Sequence, residues 1–114
     1  MQRLFVTGIS TEVGKTIASA ILVEALQADY WKPIQAGDLE YSDSHKITEL
    51  ISNAKTVIHK NSYALKTPMS PHAAAKLDGL EIDREQINTP ETDNHLVIEG
   101  AGGLLVPLND EDTI

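Results

Sequence analysis

Residues 8–16 read Gly-Ile-Ser-Thr-Glu-Val-Gly-Lys-Thr and follow, after Thr7, the apolar run Leu4-Phe5-Val6. A glycine-bearing turn between a strand and a helix, closed by Gly-Lys-Thr, is a phosphate-binding loop. Successive backbone N–H groups in such a loop converge on phosphate oxygens, and the helix it opens adds the positive end of its dipole. The lysine reaches the terminal phosphates and the threonine hydroxyl suits Mg²⁺. The usual pattern puts four residues between its first glycine and the Gly-Lys pair, whereas five separate Gly8 from Gly14 here. A plain turn with a surface lysine is the alternative, and the strand before and helix after argue against it.

The 114 residues suffice for one small domain, and the reading is a single nucleotide-binding domain over 1–114. A net charge of −8 supplies no broad positive surface, which argues against nucleic acid or an anionic membrane as partner. There is no cysteine, which excludes disulfides, zinc–thiolate sites and thiol catalysis. No apolar run approaches the ~20 residues needed to span a bilayer. The N-terminus has no signal-peptide layout, so the expected location is cytoplasmic.

Along the chain, Gln2–Thr7 is expected as a first strand, central and buried. A helix is expected from about Lys15 to Gln27, with Ile17, Ile21 and Ala25 on one face beside Ala18, Leu22 and Leu26. Tyr30–Ile34 reads as a second strand, with Pro33 at its end or near a sheet edge. Asp43–Ser52 reads as a helix capped by Ser42, with Ile47, Leu50 and Ile51 inward. Lys60–Thr67 is ambiguous. Pro71 opens a short helix that Gly79 stops, and Asp83–Asn88 is a further short helical segment. Leu96-Val97-Ile98 is a buried strand ending in Glu99, followed by Gly100-Ala101-Gly102-Gly103. Strand, helix, strand, helices, strand predicts an α/β fold, a parallel sheet flanked by helices. Ligands collect at the carboxyl ends of such strands, where the phosphate loop, Lys32 and Glu99 all fall.

Glu99 at a strand end beside glycines reads first as an acid approaching the Mg²⁺ shell, as in nucleotide hydrolases, and second as a solvated strand-end acid. On pattern alone Lys32 reads first as a snorkelling edge-strand lysine and second as a group that neutralises transferring phosphate or a carboxylated intermediate. Asp43 likewise reads first as a first-turn acid complementing a helix dipole. Glu12, beside Thr11 in a polyphosphate loop, is unexpected unless it faces a metal or a cationic substrate, which points to a substrate bearing amines. His45, His59, His72 and His95 show no metal-ligand spacing, so surface or ordinary hydrogen-bonding roles are expected of them, with His72, just after Ser70-Pro71, as the exception to watch.

Taken together, these stretches resemble the dethiobiotin synthetases. The signature is Thr7-Gly8-Ile9-Ser10-Thr11-Glu12-Val13-Gly14-Lys15-Thr16. It is joined by Lys32-Pro33-Ile34-Gln35-Ala36-Gly37, Ser42-Asp43, Ser70-Pro71-His72 and Val97-Ile98-Glu99-Gly100-Ala101-Gly102-Gly103. The likeness runs in order from residue 3 to about residue 108. It implies a P-loop NTPase-like fold and an ATP- and Mg²⁺-dependent ligase. That ligase carboxylates 7,8-diaminononanoate with CO₂ and closes a cyclic urea to give dethiobiotin, in biotin synthesis. It also implies a homodimer with sites at the interface.

The resemblance assigns roles residue by residue. Lys15 would hold the β- and γ-phosphates, and Lys32 would stabilise carbamate and transferred phosphoryl; these are the expected catalytic residues. Glu12, Val13, Gly14, Lys15, Thr16, Ile17, Asp43, Glu99, Gly100, Ala101 and Gly102 would line the nucleotide. Thr16, Asp43 and Glu99 would surround Mg²⁺, and Thr11, Lys32 and Ala36 would meet substrate. Some members carry a hydroxyl residue where Ala36 stands, so Ala36 contributes its backbone alone. The family's C-terminal half, with its adenine-binding segment and the helix that receives the substrate carboxylate, is expected to lie outside these 114 residues.

Three rival readings stand beside this one. Partition-type ATPases carry a second lysine early in the loop, where Ile9 or Ser10 stands here. Amidoligases of the cobalamin pathway bring a glutaminase cysteine, and this chain has none. The third is a nucleotide-binding half without turnover.

Overall fold

A computed structural model describes residues 2–7, 14–68 and 71–101, the side chain of His72 excepted. The elements in order are β1 (Arg3–Val6), α1 (Gly14–Leu26), β2 (Asp29–Trp31), β3 (Ile34–Ala36), α2 (Asp43–Leu50), β4 (Tyr63–Leu65), α3 (Pro71–Leu77) and β5 (Leu96–Glu99). Short 3₁₀ turns lie at Leu39–Tyr41 and Arg84–Gln86. All named strand pairs are parallel, and helices flank them, as the α/β reading expects.

The sheet order is β1-β5-β2, so β5 is central and β1 is an edge within the described residues. This corrects the expectation of a central, buried first strand: β1 alternates between exposed and half-buried residues, and Phe5 is 52% exposed. An apolar run records burial tendency, and which strand becomes its neighbour is decided by a segment ninety residues away. The free edge of β2 is covered by residues 57–59, through Tyr30 N–H to Val57 O at 3.0 Å and His59 N–H to Tyr30 O at 2.9 Å.

Tyr30–Ile34 is two strands, not one. Pro33 has no N–H to give the ladder, so β2 stops at Trp31 and the chain re-enters a second sheet as β3, paired with β4. The Pro33 carbonyl accepts from Ser62 and Tyr63 at 2.7 and 3.0 Å, which starts β4 within the ambiguous 60–67 stretch.

Two apolar cores result. Ala20, Val23, Ala28, Tyr30, Ile47 and Val97 pack α1 and α2 on the main sheet. Ile34, Leu65, Ala74, Ala75, Ile82 and Ala101 pack α3 on the small one. The buried side of α1 is Lys15, Thr16, Ser19, Ala20 and Val23, not the expected Ile17 and Ile21, which are 43% and 63% exposed. Small side chains on that face let the helix approach β5 closely, and this overrides simple hydrophobicity. In α2, Ile47 is buried as expected, but Leu50 is exposed.

Helix ends follow the local chemistry. Ser42 and His45 form a reciprocal capping box on α2, with Ser42 N–H donating to His45 Nδ1 at 2.8 Å. Pro71 is the first residue of α3. Gly79, at φ +80°, follows its end, with Leu80 N–H to Ala75 O at 2.8 Å. Glu24 of α1 accepts from the Ser52 and Asn53 side chains and backbones. Those bonds, Ser52 foremost, hold its carboxyl down at about 2.

Candidate active site

β5 delivers Glu99 to the carboxyl end of the main sheet, and β2 delivers Lys32 one residue past its own end. Side chains alternate along strands. Tyr30 and Lys32 therefore share a face, as do Val97 and Glu99, and the register Tyr30↔Val97 puts both pairs on one side. The first turn of α1 brings Lys15 and Thr16 onto that side, and the start of α2 brings Asp43. Four segments of sequence thus meet at one place.

The contacts are specific. Lys32 Nζ forms a partly buried ion pair with Asp43 Oδ2 and stands 3.6 Å from Glu99 Oε2. Thr16 Oγ1 donates to Glu99 Oε2 at 3.2 Å, and Tyr30 O–H donates to Glu99 Oε1 at 2.9 Å. Lys15 Nζ donates to Gly100 O at 3.4 Å. Lys15, Thr16, Lys32 and Glu99 are all buried, Glu99 to 1% exposure. Lys32 is therefore no snorkelling surface side chain. Asn61 Nδ2 grips its carbonyl at 2.6 Å, and the neighbouring Trp31 Nε1 is tied to Lys60 O at 3.0 Å.

Burial shapes the ionisation. It is the largest influence on Glu99 and raises its carboxyl; nearby Lys32 opposes this, and the Asp43 charge reinforces it. Burial also works to raise Asp43, but the bond and charge of Lys32 outweigh it and hold that carboxyl low. Lys15 is lowered by burial and then by repulsion from Lys32. Burial pushes the Tyr30 phenol far up, so it stays a proton donor to Glu99.

A hydroxyl and two carboxylates are hard oxygen donors, which suits Mg²⁺. The Lys32 ammonium between Asp43 and Glu99 shows that this spot favours positive charge. Among the described residues no group of three or more His, Asp or Glu forms a cage for a metal. One hydroxyl and two carboxylates fit an ion that takes its other ligands from water and phosphate, as Mg²⁺ does.

Of the expected site residues, Lys15, Thr16, Lys32, Asp43, Glu99 and Gly100 come together. Ala101 adjoins them but packs its methyl into the small-sheet core. Ala36 is packed against that same core. Gly14 opens α1 and is exposed; the Ile17 side chain lines a surface groove with Ile21 and Leu50. Thr11, Glu12, Val13 and Gly102 lie outside the described residues. Three of the histidines take hydrogen-bonding roles: His45 caps α2, His59 Nε2 is 2.9 Å from Asp29, and His95 Nδ1 accepts from Gln2 N–H at 2.8 Å.

Two residues of the site escaped sequence reasoning. Tyr30 is legible in retrospect as the same-face neighbour of Lys32, two positions earlier. Gln35 is buried; its Nε2 donates to Gly37 O at 3.0 Å and its Oε1 accepts from Asp43 N–H at 3.3 Å, holding the approach to α2. No local pattern announces that link.

A parallel α/β sheet with Gly-Lys-Thr opening α1 and an acid ending β5 defines a phosphate-loop nucleotide-binding domain. The chain belongs to the AAA domain family, whose model matches residues 2–114. It is similar to the ATP-dependent dethiobiotin synthetase BioD of Christiangramia forsetii, 64% identical over 110 residues, covering 96% of this chain and 53% of that protein. The same-named protein of Cytophaga hutchinsonii is 56% identical over 115 residues, covering 100% of this chain and 55% of its own. That of Chlamydia pneumoniae is 50% identical over 107 residues, with 94% and 48% covered. The chain spans about half the length of the curated relatives it matches. Among the described residues no helix is long and apolar enough to cross a membrane.

Proposed function

We propose that this chain carries the phosphate-binding and phosphoryl-transfer half of an ATP-dependent dethiobiotin synthetase. The observation that supports it most is the buried cluster in which Lys32 faces both Asp43 and Glu99, with Lys15 and Thr16 against the end of β5. The substrates are ATP, CO₂ and 7,8-diaminononanoate, and the protein works as a cytoplasmic homodimer.

One amine of the diamine adds to CO₂ and loses a proton, forming a carbamate. A carbamate oxygen attacks the γ-phosphorus and ADP leaves. The second amine attacks the carbon of the mixed anhydride, phosphate leaves, and the cyclic urea is closed. No step needs an enzyme nucleophile. The protein contributes position and charge.

Lys15 binds the β- and γ-phosphate oxygens as α1 presents its N-terminus to them. Lys32, held by Asn61 and aimed by Asp43, compensates the carbamate and the transferring phosphoryl group. Thr16, Asp43 and Glu99 would hold Mg²⁺, which when bound neutralises phosphate charge. By the family resemblance, Val13, Gly14 and Ile17 would offer backbone N–H groups to the nucleotide, with Gly100, Ala101 and Gly102 beside it. By the same resemblance, Thr11, Glu12 and the backbone at Ala36 would meet the diamine.

Turnover in [¹⁸O]bicarbonate tests the order of bonds. The carbamate route carries one labelled oxygen into inorganic phosphate and labelled carbonyl into dethiobiotin. Unlabelled phosphate would reject it.

A further inference from the structure

We infer that Tyr30 is a positioning residue for Glu99, fixing which carboxylate oxygen is turned toward Thr16 and Lys32. The inference rests on the reading of Glu99 as a Mg²⁺–nucleotide group.

The Tyr30 ring is fully buried in the main core beside Val23, Ile47 and Val97, where a phenylalanine ring would pack as well. Its hydroxyl, though, donates to Glu99 Oε1 at 2.9 Å. A buried tyrosine oxygen needs such a partner, and so does a buried carboxylate oxygen on its core side. With Oε1 occupied from below, Oε2 is the oxygen that meets Thr16 at 3.2 Å and Lys32 at 3.6 Å. Strand alternation puts the two side chains on one face, because Tyr30 sits opposite Val97 and Glu99 follows Val97 by two residues. Without the hydroxyl, Oε1 loses the donor that Tyr30 gives it, and the carboxylate is free to turn toward Lys32. Groups that orient a metal ligand from behind typically change metal affinity ten- to a hundredfold when removed.

The test is Tyr30→Phe in the full protein, read by titrating Mg²⁺ into protein with a non-hydrolysable ATP analogue. The half-saturating Mg²⁺ concentration is expected to rise about tenfold, with analogue binding in EDTA unchanged. In a Glu99→Ala background the same change should add nothing. An unchanged Mg²⁺ titration in Tyr30→Phe, or an equal effect without Glu99, would overturn the assignment. Should the phenylalanine variant fail to fold, 4-fluorophenylalanine at position 30 fills the hydroxyl's space without donating. It should show the same loss, and parental Mg²⁺ dependence there would overturn the assignment. Parent protein whose analogue binding ignores Mg²⁺ would instead overturn the functional reading, and this inference with it.

Discussion

Thr16 and Glu99, 83 positions apart in sequence, are joined by a hydrogen bond of 3.2 Å in a buried site. The bond ties the first turn of the helix after the phosphate loop to the end of the central strand. Lys15 repeats the tie one residue earlier through Gly100 O. Nucleotide-facing groups from the two ends of the described chain are thereby held in fixed relation.

Lys32→Ala is expected to retain nucleotide binding and to lose ring closure on the order of a hundredfold or more. It also leaves buried Glu99 and half-buried Asp43 with their shared cation gone, so stability should fall by about 3 kcal/mol. Single-turnover product formation and denaturant melts read the two effects separately. An unchanged rate would remove Lys32 from the mechanism.

Lys15→Ala removes the positive group nearest the loop. Nucleotide-dependent turnover should vanish. Steady-state phosphate release checks this; full activity would contradict the phosphate-loop assignment.

Gly37 has φ +79°, and a Cβ there would sit 2.5 Å from Pro68 Cβ and 2.7 Å from its Cα. Both the backbone conformation and the space demand glycine. Gly37→Ala should destabilise by ~2 kcal/mol or more, because the obstructing atoms belong to a rigid ring and backbone. A urea melt with an unshifted midpoint would contradict this packing.

Asp29, at the far end of β2, accepts from Thr92 at 2.7 Å and from Asn94 and Val57 N–H at 3.1 Å each, and pairs with His59. Burial works to raise its carboxyl, but these bonds outweigh it and hold it below the ordinary carboxylate value. The sign follows from linkage: the stability this group gives is full above its unfolded value and is lost as pH falls through the folded one. Asp29→Asn should therefore lower stability at neutral pH, by on the order of 2 kcal/mol, and flatten its loss toward acid. Melts from pH 7 down to pH 2.5 measure the slope; an equally steep acid limb in the variant would contradict it.

Much of the site was legible because its signals are local. Gly-Lys-Thr, the Ser42 cap, the Pro71 start, the Gly79 stop and the apolar run ending in Glu99 each need only a few neighbours to be read. Pairing is different. That β1 lies at an edge, and that the chain changes sheets at Pro33, depends on which distant strand offers hydrogen bonds. The inward face of α1 was misread because it docks through Ser19 and Ala20 and carries Lys15 and Thr16 into the site, while isoleucines stay outside. The roles of Tyr30 and Gln35 arise only once β5 and α2 are packed beside them.

The central claim is most directly tested by phosphate release from Mg-ATP and bicarbonate, with and without 7,8-diaminononanoate. The account predicts release that requires the diamine and matches dethiobiotin formed, mole for mole. Diamine-independent release, or none in its presence, would contradict it.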